Sequence, residues 1–66
     1  MKITVNGKKR SIPESLPLAK LLSSLEMPSE RVAVEVNKEV VRKTDWDGFE
    51  VSENDRIEII HFVGGG

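Results

Sequence analysis

The chemistry open to this chain is concentrated at one end, where Ile57-Glu58-Ile59-Ile60-His61-Phe62-Val63 runs into Gly64-Gly65-Gly66. Glycine lacks Cβ, so three in succession make a thin, flexible segment that can enter a channel too narrow for any side chain. Extended, such a segment reaches roughly 10 Å past its last anchored residue. At its tip the sequence places the α-carboxylate of Gly66, which is ionised at neutral pH. A carboxylate is a poor electrophile, but joined to AMP by another enzyme it becomes an acyl donor. If the nucleophile that then takes the acyl group delivers sulfur, the product is a thiocarboxylate, a sulfur donor made without any cysteine in the carrier. On composition alone, a tail without a role is the plain alternative.

No competing chemistry is legible. The single histidine, His61, falls inside an apolar strand pattern, and no serine stands in a recognisable nucleophile motif with it. There is no cysteine, hence no thiol nucleophile, disulfide or thiolate metal ligand. Acids such as Glu26, Glu30, Glu35, Glu39, Asp45 and Asp47 are interspersed with bases and read as solvated faces rather than metal ligands. Gly64–Gly66 do not form a phosphate loop, which needs a helix N-terminus after it. The expectation is a chain with no catalytic residue, no metal and no bound cofactor.

Composition narrows the partners. With 66 residues the chain is one small domain, with little room for both a core and a deep cleft. Ten basic and eleven acidic side chains nearly cancel, so no strong field attracts phosphate backbones. Lys8-Lys9-Arg10 is the one basic run. It is an anion patch or a solvated hairpin, and its shortness and lack of aromatic neighbours favour the hairpin. No apolar run is long enough to span a bilayer, and MKITVNGKKR has no signal-peptide core. A cytoplasmic location is expected, with neither nucleic acid nor membrane as partner.

The elements that must position the tail follow from hydrophobic period. In KITVNGKKRSIP, Ile3 and Val5 alternate with polar residues, and Asn6-Gly7 suits a two-residue type I′ turn. The return strand carries Ile12 and stops near Pro13. Leu18, Leu21, Leu22 and Leu25 then lie on one face of a helix of two to three turns. Pro17 suits its first turn, Ser15 or Leu16 the N-cap, and Pro28 ends the pattern. Such a helix is not stable alone and must pack its leucines on a sheet. Period two returns with Val32, Val34 and Val36. Asn37-Lys38 marks a break, and Val40-Val41 begins a second short strand. Residues 42–55 are polar and turn-rich, with Trp46 and Phe49 as anchors to the core.

The last strand has large apolar groups on both faces, Ile57, Ile59 and His61 on one and Glu58, Ile60 and Phe62 on the other. This predicts a central strand. One helix covers only one face of a sheet. Ile60 and Phe62 therefore lie on an open, partner-binding face, or the loop around Trp46 covers them. The fold class is α+β, with a domain over residues 1–63 and a flexible glycine tail over 64–66.

This assembly resembles the ubiquitin-like β-grasp proteins, and among them most closely the ThiS family of sulfur carriers in thiamine biosynthesis. The resemblance covers the whole chain through KITVNGK, LAKLLSSL, VAVEVNKEVV, ENDRIEIIHFV and the terminal glycines, of which IEIIHFVGGG is the most specific. It implies a mixed sheet of four to five strands packed on one helix. It implies that Gly66 is adenylated by a ThiF-like, E1-related enzyme using ATP and magnesium. A cysteine desulfurase system then supplies sulfur, and a thiazole synthase (ThiG) accepts it. The chain would be a protein substrate rather than an enzyme. Gly65 and Gly66 match the family diglycine, Gly64 extends it, and Ile60 and Phe62 fall by position on the family's docking surface. MoaD-like carriers serving molybdopterin, cysteine or tRNA thiolation are an alternative, as is a ubiquitin-like modifier or interaction module. Pro17 is not a family requirement.

Overall fold

The computed structural model describes residues 1–26 and 31–61. The elements are β1 (Lys2–Val5), β2 (Lys8–Ser11), α1 (Leu18–Ser24), β3 (Val32–Val36), β4 (Glu39–Val41) and β5 (Arg56–His61), with a 3-10 turn at Lys43–Asp45. The strands form one five-stranded sheet in the order β2-β1-β5-β3-β4. β5 runs parallel to β1 and antiparallel to β3, so the sheet is mixed and its last strand is central, as its two apolar faces predict.

Both hairpins turn on two residues with positive φ. Asn6 and Gly7 have φ of 49° and 81°, the type I′ pattern expected of that dipeptide. Asn37 and Lys38 repeat it with 53° and 71°, so what reads in the sequence as a break is a second tight turn joining β3 to β4. β2 ends at Ser11, yet the pairing continues one residue further. The Ile12 N–H donates to the Met1 carbonyl and the Met1 ammonium to the Ile12 carbonyl, both at 2.8 Å.

The helix start differs from the sequence expectation. Pro17 is the N-cap itself, in extended conformation with φ −62° and ψ 145°, and no side chain caps the helix. The reason is tertiary. The Leu18 N–H donates to the Phe49 carbonyl at 2.7 Å and the Ala19 N–H to the Trp46 carbonyl at 3.1 Å. Backbone carbonyls of the 42–55 segment thus take amide donors that a Ser or Asp cap would otherwise satisfy. The helix also stops earlier than Pro28. Leu25 is the C-cap, and Glu26 at φ 57° turns the chain out of the helix. Pro28 lies outside the described residues, as does the expected domain boundary at residue 63.

One core results. Leu18, Leu21 and Leu22 join Ile3, Val5, Val32, Val34, Val36, Ile57 and Ile59 from one face of the sheet. Val41, Trp46 and Val51 extend it, and Leu25 and Phe49 pack at its margin. Each fully buried aliphatic side chain contributes about 1.5–3 kcal/mol, and with no cysteine in the chain no disulfide adds to it.

Candidate functional site

The site is built around β5, whose far end leads into the glycines. Two asparagines outside the strand hold it from either side. On the β1 side, the Asn6 N–H donates to the Ile57 carbonyl at 2.9 Å, and the Asn6 Oδ1 accepts the Ile59 N–H at 2.8 Å. On the β3 side, the Asn37 N–H donates to the Arg56 carbonyl at 2.8 Å, and the Asn37 Oδ1 accepts the Arg56 N–H at 3.0 Å. The Asn37 Nδ2 also donates to Asp55 Oδ1 at 3.0 Å, while Asp55 Oδ2 accepts the Ser52 N–H at 2.8 Å. Asp55 is buried, and its carboxylate is satisfied on both oxygens. The start and middle of β5 are thereby fixed by side chains as well as by ladder bonds. Sequence reasoning assigned Asn6 to a turn and Asn37 to a break, and no further role to either. Their second role depends on how close β5 comes, which no local pattern encodes.

The two faces of β5 separate cleanly. Ile57 and Ile59 are buried against the helix, while Glu58 and Ile60 point away from it. The register sets Ala33 beside Ile60, Glu35 beside Glu58, and Val40 beside Glu35. Ile60 is 46% exposed and Val40 67%. The alternative that the loop around Trp46 covers this face does not hold. Trp46 is buried in the core, its Nε1 donating to the Val41 carbonyl at 3.0 Å, and its own carbonyl is engaged by the helix start. The open face therefore carries Ile60, Ala33 and Val40. Alternation with Val32, Val34 and Val36 already sets Ala33 on this face, whereas Val40 was missed in the sequence, although adjacent valines on a strand must point to opposite faces.

Of the site residues expected from sequence, Ile60 lies on this open face. Phe62, Gly64, Gly65 and Gly66 lie outside the described residues, C-terminal to His61 in the chain. His61 is exposed at the end of β5, opposite Val32. Among the described residues no group of three or more His, Asp or Glu side chains is placed to hold a metal ion, and no helix is long and apolar enough to cross a membrane.

Comparison with known proteins places this architecture. Residues 3–66 match the family model described as the ThiS family. The chain is 39% identical over its full 66 residues to a thiazole synthase of Paramagnetospirillum magneticum, of which it covers 20%. It thus spans about a fifth of the length of the thiazole synthases it matches. It is 46% identical over 46 residues to the sulfur carrier protein ThiS of Bacillus subtilis, covering 70% of each chain. The crystal structure of the thiamine biosynthesis protein ThiS from Geobacter metallireducens superposes with a TM-score of 0.90 at 40% identity, with both chains covered completely. A mixed sheet with a central β5, one packed helix, a β-grasp relative matched along its whole length and a family model reaching Gly66 agree: this chain belongs to the ThiS family.

Proposed function

We propose that this chain is a sulfur carrier for thiazole formation in thiamine biosynthesis, acted on by partner enzymes rather than catalysing a reaction itself. The observation that carries the reading is the match of the ThiS family model through Gly66, on a chain whose last strand is the fixed centre of the sheet. A carrier of this kind needs a rigid body and a thin reactive end. β5 supplies the rigid exit, and Gly64, Gly65 and Gly66 supply a segment without side chains.

In this reading a ThiF-like, E1-related enzyme binds ATP and magnesium in its own site. A Gly66 carboxylate oxygen attacks the α-phosphorus of ATP, and pyrophosphate leaves. A persulfide supplied by a cysteine desulfurase system then attacks the acyl carbon and displaces AMP. A second thiol cleaves the resulting acyl disulfide, releasing the thiocarboxylate as the two thiol sulfurs join in a disulfide. Gly64 and Gly65 thread the tail into the active sites of both the activating enzyme and the acceptor, a thiazole synthase of the ThiG type. Ile60 and Phe62 dock the body so that the tail is aimed. The reaction takes place in the cytoplasm. The test is intact mass after incubation with ATP, magnesium, a sulfur source and the activating enzyme. A gain of about 16 Da, oxygen replaced by sulfur, is expected. An unchanged mass with an enzyme proven active on another carrier overturns the reading.

A further inference from the structure

The open face carries more than an apolar patch. Alternation and register sort its side chains into bands across the strands. Lys9 pairs with Thr4, and Thr4 with Arg56, so two cations flank the half-buried Thr4 in one row. Lys2 lies two residues before Thr4 on the same face. The next row along β5 holds Glu58 beside Glu35. The row after that holds Ile60 beside Ala33, at the end of β5 that leads into the glycines. From Arg56 to Ile60 the strand rises roughly 13 Å. The charges stay available: among the described residues, the side chains of Lys2, Lys9, Arg56, Glu35 and Glu58 enter no ion pair with one another. Glu53 meets Lys2 at the backbone, its Oε2 accepting the Lys2 N–H at 3.1 Å.

We propose that the row formed by Lys9 and Arg56 around Thr4, with Lys2, is a second docking point on this face. Its occupant is a cluster of carboxylates on the surface of the enzyme that adenylates Gly66. The proposal rests on the sulfur-carrier reading and adds to it the chemistry of the partner's surface. An apolar patch alone fixes position poorly, because it lets the body rotate about the contact. A cationic point about 13 Å away along the same strand, with an anionic band between, admits a single orientation. The partner would present an apolar socket, then basic side chains, then carboxylates, in that order away from its active-site entrance. Charges at the rim of a contact act mainly on the rate of encounter and on its dependence on salt.

The register supplies an internal control. Lys8 pairs with Val5 and Arg10 with Ile3, so both project on the other side of β2 from Lys9. The double variants Lys9→Glu/Arg56→Glu and Lys8→Glu/Arg10→Glu change net charge equally, but on opposite faces. Adenylation by the activating enzyme of the same organism is followed by pyrophosphate release, at low and high ionic strength, with circular dichroism confirming that each variant folds. The Lys9/Arg56 variant is expected to raise KM roughly tenfold at low salt with kcat unchanged, and to reverse the salt dependence, because salt then screens a repulsion. The Lys8/Arg10 variant should match wild type. Lys9→Gln/Arg56→Gln, which removes charge without reversing it, should give an intermediate KM and covers the case in which reversal unfolds the domain. Equal effects of the two reversals, or none from either, overturn the proposal while leaving the sulfur-carrier reading intact. Failure of wild type to be adenylated overturns both.

Discussion

Asn6 is linked to Ile59 across a gap that the ladder does not span: the last β1–β5 pair is Val5 with Ile57, and the Asn6 side chain accepts the Ile59 N–H at 2.8 Å just beyond it. One residue therefore does two things. Its backbone, at φ 49°, makes the first hairpin, and its side chain extends the grip on the strand that leads to the glycines. These roles separate by substitution. Asn6→Gly keeps the backbone free to adopt positive φ but leaves the Ile59 N–H without its acceptor, which costs about 1–3 kcal/mol. Asn6→Asp keeps an acceptor oxygen in place and should cost less. Urea denaturation of the two variants checks the order, and hydrogen exchange at the Ile59 amide should accelerate in Asn6→Gly. Equal stabilities would show that the turn alone matters.

The second hairpin contains a residue ill suited to its conformation. Lys38 sits at φ 71°, where a side chain with a Cβ is strained and glycine is not. In the other hairpin the corresponding position is Gly7, at φ 81°. Lys38→Gly should therefore stabilise the domain by roughly 1 kcal/mol, after subtracting the extra chain entropy that glycine brings to the unfolded state. Thermal unfolding should shift upward by about 4–8 °C. A downward shift would mean that the Lys38 side chain makes a contribution the backbone argument omits.

Much of this fold was legible because its signals are local. Period two marks Ile3-Val5, Val32-Val34-Val36 and Ile57-Ile59, period 3.6 marks Leu18, Leu21 and Leu22, and Asn6-Gly7 announces its own turn. The features that escaped are those in which a distant segment completes a local one. Pro17 serves as N-cap because the carbonyls of Phe49 and Trp46 come to the helix, and their arrival depends on the loop being pinned by the buried Trp46. Asp55 is buried because Asn37 and the Ser52 amide meet its carboxylate. The site divides the same way. The apolar exposure of Ile60 was foreseeable from a central strand with one helix to cover it. Ala33 beside it, and Val40, Lys9 and Arg56 further along the same face, are brought together only through register, which is set once the sheet has assembled.

Ile60 separates docking from stability. Nearly half exposed on the helix-free face, it adds little to the core, so Ile60→Thr keeps a β-branched residue on the strand and should alter stability by no more than about 0.5 kcal/mol. If the face docks the adenylating enzyme, loss of the apolar contact should raise KM for Gly66 activation about fivefold, roughly 1 kcal/mol, with kcat unchanged. A loss of kcat at constant KM would instead place Ile60 in positioning the tail. An unchanged KM would remove it from the docking surface.

Deleting Gly65 and Gly66 sets body against tail. The core formed by the described residues draws its members from Ile3 to Ile59, and the bonds that hold β5 reach it at Arg56, Ile57 and Ile59. None of these interactions involves residues 65 and 66, so the truncated chain should melt within about 1 °C of wild type, since a shift of 4–8 °C accompanies each kcal/mol in a domain of this size. Its C-terminal carboxylate would be that of Gly64, too short by two residues, roughly 7 Å, to reach the same point in the activating enzyme. The mass gain expected of the intact chain should then disappear, although the open face still docks. The truncated protein should accordingly inhibit adenylation of the full chain competitively, with an inhibition constant close to the KM of wild type. Retained mass gain would refute the assignment of Gly66 as the reacting residue, and failure to compete would show that the tail, rather than the sheet face, supplies the affinity.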